Sequence, residues 1–140
     1  MPKPKILFFL ISLFFLAHCN DIHDVIPSIP VNIILDTNTD LANLGVGNSI
    51  ICPKPGGYMG IVIYRSDLDR FFAFERTCSY YPNDTSAVEI EKGSNILYCP
   101  KCGSKYVITE DEAMVLQGPA NMSLKSYRTF INSNRLYITN

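Results

Sequence analysis

The chain has 140 residues, with five Cys, two His and no Trp, and a formal charge of −1. That length suits one folded domain, and so flat a charge excludes nucleic-acid binding through a basic face. With 47% apolar and 18% charged residues, the chain is too apolar and too weakly charged to be disordered.

Residues 1–5 are short and basic, with Lys3 and Lys5. Residues 6–17 are apolar except for Ser12. A membrane-crossing helix needs about 20 apolar residues, so this run has the length of a signal-peptide core instead. It ends in Leu16-Ala17-His18-Cys19, which resembles a bacterial lipobox, where the Cys is lipidated and becomes the new N-terminus. His18 stands where that motif usually has Gly, Ala or Ser. The alternative is a plain secretory signal with Cys19 incidental. The expected organisation is a signal peptide over 1–18, lipidated Cys19 with a tether over 19–30, and a domain over 31–140. The lipobox resemblance implies an exported protein held at a bacterial membrane by its lipid. Asp21, Asp24, Pro27 and Pro30 make the tether an extended spacer, and His23 within it reads as solvated. The domain itself contains no histidine.

Beyond residue 30, apolar runs of four to six alternate with turn residues. Strands are expected over 31–35, 50–52, 60–64, 71–74, 88–90, 95–98, 105–108 and 114–116, and a helical turn over 41–44. The 60–64 run, Gly-Ile-Val-Ile-Tyr, is apolar at every position like a strand buried on both faces. Residues 66–69 read as a turn, and Glu110, Asp111 and Glu112 as a solvated hairpin turn. The last hairpin pairs 127–131 with 135–139 across Asn132-Ser133-Asn134. No apolar 3.6-residue period runs for three turns. The fold class expected is all-β, a small antiparallel sandwich or barrel.

Four cysteines remain in the domain. Cys52, next to Pro53, reads as a buried thiol. Cys99-Pro100-Lys101-Cys102 is a C-x-x-C pair, the spacing of a metal knuckle or a redox disulfide. Cys78 follows a strand in Thr77-Cys78-Ser79-Tyr80. Together, Cys78-Ser79-Tyr80 and Cys99-Pro100-Lys101-Cys102-Gly103-Ser104-Lys105-Tyr106 resemble the two loops of Rieske iron–sulfur domains, C-x-H and C-x-x-H-G-S-x-F/Y. Gly118-Pro119-Ala120 resembles that family's loop over the cluster. The strand at 60–64, the lead-in from Phe72 to Cys78 and the closing hairpin are similar as well, so the resemblance spans about residues 33–139. It implies a Rieske-like β-sandwich or barrel with a smaller cluster-binding subdomain of two hairpin loops.

In that family two Cys hold one iron and two His the other. Here Cys78 and Cys99 take the Cys places, and Tyr80 and Cys102 take the His places. With no His in the domain, a His-ligated centre is excluded by composition. Three chemistries remain. Cys78, Cys99 and Cys102, with Tyr80 or Cys52 as fourth ligand, hold a [2Fe–2S] cluster and transfer electrons. Or the same thiolates bind zinc, completed by Tyr80 or water. Or no metal binds, and a disulfide such as Cys78–Cys99 or Cys78–Cys102 closes the tip of a structural or interaction lipoprotein. The resemblance places Ser104 and Tyr106 as hydroxyls on the sulfurs. No catalytic triad, phosphate-cradling Gly loop or paired carboxylates point to a substrate site, so the chain is not expected to be an enzyme. The expected contacts are the membrane and an unidentified redox or binding partner, with a monomer as the default. Asn83-Asp84-Thr85 and Asn121-Met122-Ser123 match the glycosylation sequon, of no consequence in a bacterium.

Overall fold

The computed structural model describes residues 26–83 and 85–140. The expected signal peptide, Cys19 and His23 lie outside the described residues, as does Asp84 of the first sequon. The described residues form ten strands and no helix. The all-β antiparallel class expected from the short apolar runs is the one found.

Two sheets make up the fold. The larger has the order β1-β10-β9-β4-β3-β2, with β1 Asn32–Asp36, β2 Ser49–Ile51, β3 Ile61–Asp67, β4 Arg70–Glu75, β9 Ser126–Asn132 and β10 Arg135–Thr139. The smaller has the order β5-β6-β7-β8, with β5 Glu89–Ile90, β6 Ile96–Tyr98, β7 Lys105–Thr109 and β8 Glu112–Gln117. All pairings are antiparallel.

Two cores explain the unbroken apolar run in β3. Ile61 and Ile63 join a core of the large sheet with Leu35, Leu41, Leu44, Phe71, Ala73, Leu136 and Ile138. Val62 points the other way, into a second core with Phe74, Cys78, Val88, Leu97, Cys99, Tyr106 and Ile108. Successive side chains of a strand face opposite sides, so β3 and β4 are the wall between the cores. The second core packs directly against the cysteine loops.

Residues 41–44 close a single turn through Leu44 N to Leu41 O (2.9 Å), and its two leucines are buried as anchors of the first core. Two local expectations change. The turn expected over 66–69 shrinks to Leu68-Asp69, because a bulge between Arg65 and Asp67 lets β3 continue. Arg65 holds that corner by donating to Leu44 O (2.8 Å) and Leu68 O (2.7 Å). Glu112 belongs to β8, so only Glu110, at φ 51°, and Asp111 make the turn. The last hairpin turns on Ser133 and Asn134, at φ 48° and 62°, the pair of left-handed residues that a two-residue hairpin requires.

The segment from β4 to β5 carries Cys78, and an isolated bridge between Thr77 and Ala87 closes its base. The link from β6 to β7 carries Cys99 and Cys102. Backbone bonds brace each loop within itself: Cys78 N donates to Ser86 O (3.0 Å) in the first, and Cys99 N to Ser104 O (2.8 Å) and Gly103 N to Cys99 O (2.9 Å) in the second.

Candidate metal centre

Cys78 and Cys99 are buried and Cys102 is half-buried. Their three sulfurs lie within 4.8 Å of one another, and Cys78 Sγ is 3.6 Å from Cys102 Sγ. All four described cysteines are free thiols. The 3.6 Å separation is contact, well beyond a bond of about 2.05 Å. The disulfide-closed tip is therefore not the state of this structure.

Each sulfur has one hydroxyl beside it. Tyr106 Oη is 3.4 Å from Cys78 Sγ, Ser86 Oγ is 3.2 Å from Cys99 Sγ, and Cys102 donates to Ser104 Oγ at 3.1 Å. A hydroxyl rotates to suit its neighbour, so the same contact accepts from a thiol and donates to a thiolate. A further link runs behind Cys78. Tyr106 Oη is 2.9 Å from Ser79 Oγ, which donates to Met122 O at 2.6 Å. Because Ser79 commits its proton to Met122, the Tyr106 hydroxyl is free to donate to Ser79 or to Cys78.

These surroundings separate two of the cysteines. Burial, together with the neighbouring Cys99 and Cys102, pushes the Cys78 thiol up to about 12. Burial also opposes ionisation of Cys99, but the Ser86 hydroxyl, the N–H of Cys102 and the Cys78 thiol outweigh it and bring Cys99 down to about 7. Thiolate is the form that binds metals, and the contacts on Cys99 favour it.

The structure brings together Cys78, Cys99, Cys102, Ser104 and Tyr106. The Tyr80 side chain stands apart from them: the residue is 43% exposed and its ring meets Tyr81 edge-on at 4.5 Å. Cys52 packs against the core of the large sheet. Neither expected fourth ligand joins the sulfur triangle. The 118–120 loop does reach the site. Ala120 N donates to Ser104 Oγ (3.0 Å), while Pro119 faces solvent. Gly118 has φ 103°, and a Cβ there would lie 2.5 Å from Ser104 Cα, so only glycine permits this approach.

Ser86, Ser79 and Glu75 were not singled out from the sequence. Ser86 sits in Thr85-Ser86-Ala87, where no spacing relates it to a cysteine. Glu75 did carry a signal, an acid that ends the apolar run 71–74 two residues before Thr77.

No family model matches the sequence, and a comparison with curated proteins finds no match. Eight solved chains match it. One belongs to the complex of reduced oxygenase and oxidised ferredoxin in carbazole 1,9a-dioxygenase. It is 18% identical, with a TM-score of 0.49, and the match covers 70% of this chain and 85% of that one.

Proposed function

We propose that this protein is a metal-binding module in which Cys78, Cys99 and Cys102 hold one metal ion at the tip of the small sheet. The observation that carries the reading is the convergence of three sulfurs within 4.8 Å. Metal–sulfur bonds of ~2.3 Å around a tetrahedral ion set sulfurs ~3.8 Å apart, close to the 3.6 Å between Cys78 and Cys102. Three protein ligands leave a fourth position for solvent or a ligand. Thiolates suit zinc and iron. Zinc would brace the tip, and iron would make it a point of electron transfer.

The [2Fe–2S] cluster implied by the Rieske resemblance fits the residues less well. Such a cluster takes two protein ligands on each of two irons. One tight triangle supplies ligands for a single centre, while Tyr80 stands in solvent and Cys52 lies on the other core. A second reading, a [2Fe–2S] electron-transfer module of Rieske type, is still favoured by two observations. Ser104 and Tyr106 sit on the sulfurs, and the Gly118-Pro119-Ala120 loop packs against Ser104, as that resemblance implies. The lipobox-like Leu16-Ala17-His18-Cys19 supports an exported, membrane-anchored setting for either reading.

Metal and acid-labile sulfide analysis of the protein, purified with and without air, tests this. One zinc or iron per chain without labile sulfide is expected. Two irons with two sulfides would replace the single-ion reading by the cluster. Protein free of metal under both conditions would overturn both.

A further inference from the structure

A buried acid stands between the large sheet and the sulfur triangle. Glu75 ends β4 and is 0% exposed. Its carboxylate accepts five hydrogen bonds. Oε1 accepts from Met59 N (2.9 Å), Thr77 N (3.0 Å) and Thr77 Oγ1 (2.9 Å). Oε2 accepts from Tyr58 N (2.7 Å) and Tyr127 Oη (2.6 Å). Every neighbour is a donor, so the side chain must be an acceptor throughout, and a Gln amide would set N–H against N–H. Burial opposes the charge, but these donors, Tyr127 first, hold the carboxyl below its ordinary range. The surrounding chain is shaped to admit it: Gly57 has φ 71°, and a Cβ there would lie 2.5 Å from Glu75 Oε2.

The five donors come from three places. Tyr58 and Met59 lie in the link from β2 to β3, and Tyr127 lies on β9. A pin for the large sheet needs only those three. The two bonds from Thr77 have a different effect, because Thr77 is the residue before Cys78. They fix Thr77 where it bridges Ala87, and Cys78 N next to it donates to Ser86 O at 3.0 Å. Ser86 in turn places its hydroxyl on Cys99.

We propose that Glu75 is a positioning residue for the metal centre: by clamping Thr77 it sets Cys78, and through Ser86 the Cys99 hydroxyl contact, on the sulfur triangle. The proposal rests on the reading that the triangle binds a metal. Glu75 touches no sulfur and acts only through Thr77.

The full chain is compared with Glu75→Gln, Thr77→Val and Ile138→Val. Thr77→Val keeps the shape and removes one donor to Glu75. Ile138→Val trims the large-sheet core away from the site. Two quantities are read: affinity for zinc by competition with a chelator, and the alkylation rate of Cys78 in metal-free protein, with Cys52 as the internal standard. Glu75→Gln and Thr77→Val are expected to weaken zinc binding about 10–100-fold, as lost support behind a ligand does. They are expected to speed Cys78 alkylation about tenfold over Cys52, by local opening. Ile138→Val should leave both within about twofold, because its trim lies in the other core. If Glu75→Gln fails to fold, Thr77→Val decides. Changes in both site variants no larger than those of Ile138→Val overturn the proposal. If the unaltered chain binds no zinc or iron, the metal reading fails, and the alkylation rates alone decide whether Glu75 holds Cys78.

Discussion

At the scale of single residues, the site is a set of sulfurs each matched to a hydroxyl. Ser86 is the clearest test, because the Cys99 thiol is brought down and the Ser86 hydroxyl is the leading contact that does so. Ser86→Ala should weaken metal binding roughly tenfold, checked by chelator competition, while leaving the fold intact by circular dichroism. An unchanged affinity would mean that the hydroxyl does not support the thiolate. The sulfurs were legible in the sequence, since C-x-x-C spacing and the flanking Gly103-Ser104 carry their own chemistry. Ser86 was not, because its relation to Cys99 spans two loops and exists only once Cys78 N bonds Ser86 O. Tyr80 misled for the converse reason. Its place in the motif suggested a ligand, but a phenol next to Tyr81 finds an edge-on ring contact at the surface instead of a place among the sulfurs.

At the scale of elements, the loop over the site depends on backbone shape. Gly118→Ala would drive a Cβ to 2.5 Å from Ser104 Cα at a φ of 103°. The chain must then shift and loosen the Ala120 N–Ser104 Oγ bond. A non-glycine residue in such a conformation costs about 1–3 kcal/mol, so a loss of that size is expected in denaturant unfolding, with weaker metal retention. An equally stable Gly118→Ala protein would show that the loop accommodates a side chain. Most strands could be read from the run lengths, and the double burial of β3 from its lack of alternation. The bulge after Arg65 could not, because it depends on Arg65 reaching Leu44 O and Leu68 O, contacts invisible to local pattern. The leucines at 41 and 44 have the spacing of a helical turn, and they serve as two anchors of a single turn over the first core.

At the scale of the whole molecule, Glu75 joins the large sheet to the site, so stability and site geometry share one carboxylate. Its folded-state carboxyl lies below its ordinary value, so its contribution is full above the unfolded value of about 4.3. The contribution is lost as pH falls through the lower folded value. Unfolding free energy measured by denaturant should therefore fall as pH drops from about 5 towards 3, and Glu75→Gln, less stable at neutral pH, should show a shallower fall. An identical slope in both proteins would place the acid sensitivity elsewhere. The two-core plan itself follows from β3 and β4 being apolar on both faces, which leaves the second core free to hold cysteines as part of its packing.

The central claim is that three thiolates hold one ion, and X-ray absorption at the edge of the metal bound to the purified protein reads it most directly. The account predicts three sulfur neighbours at ~2.3 Å and no second metal nearby. A short metal–metal vector, or a shell of nitrogen and oxygen alone, would contradict it.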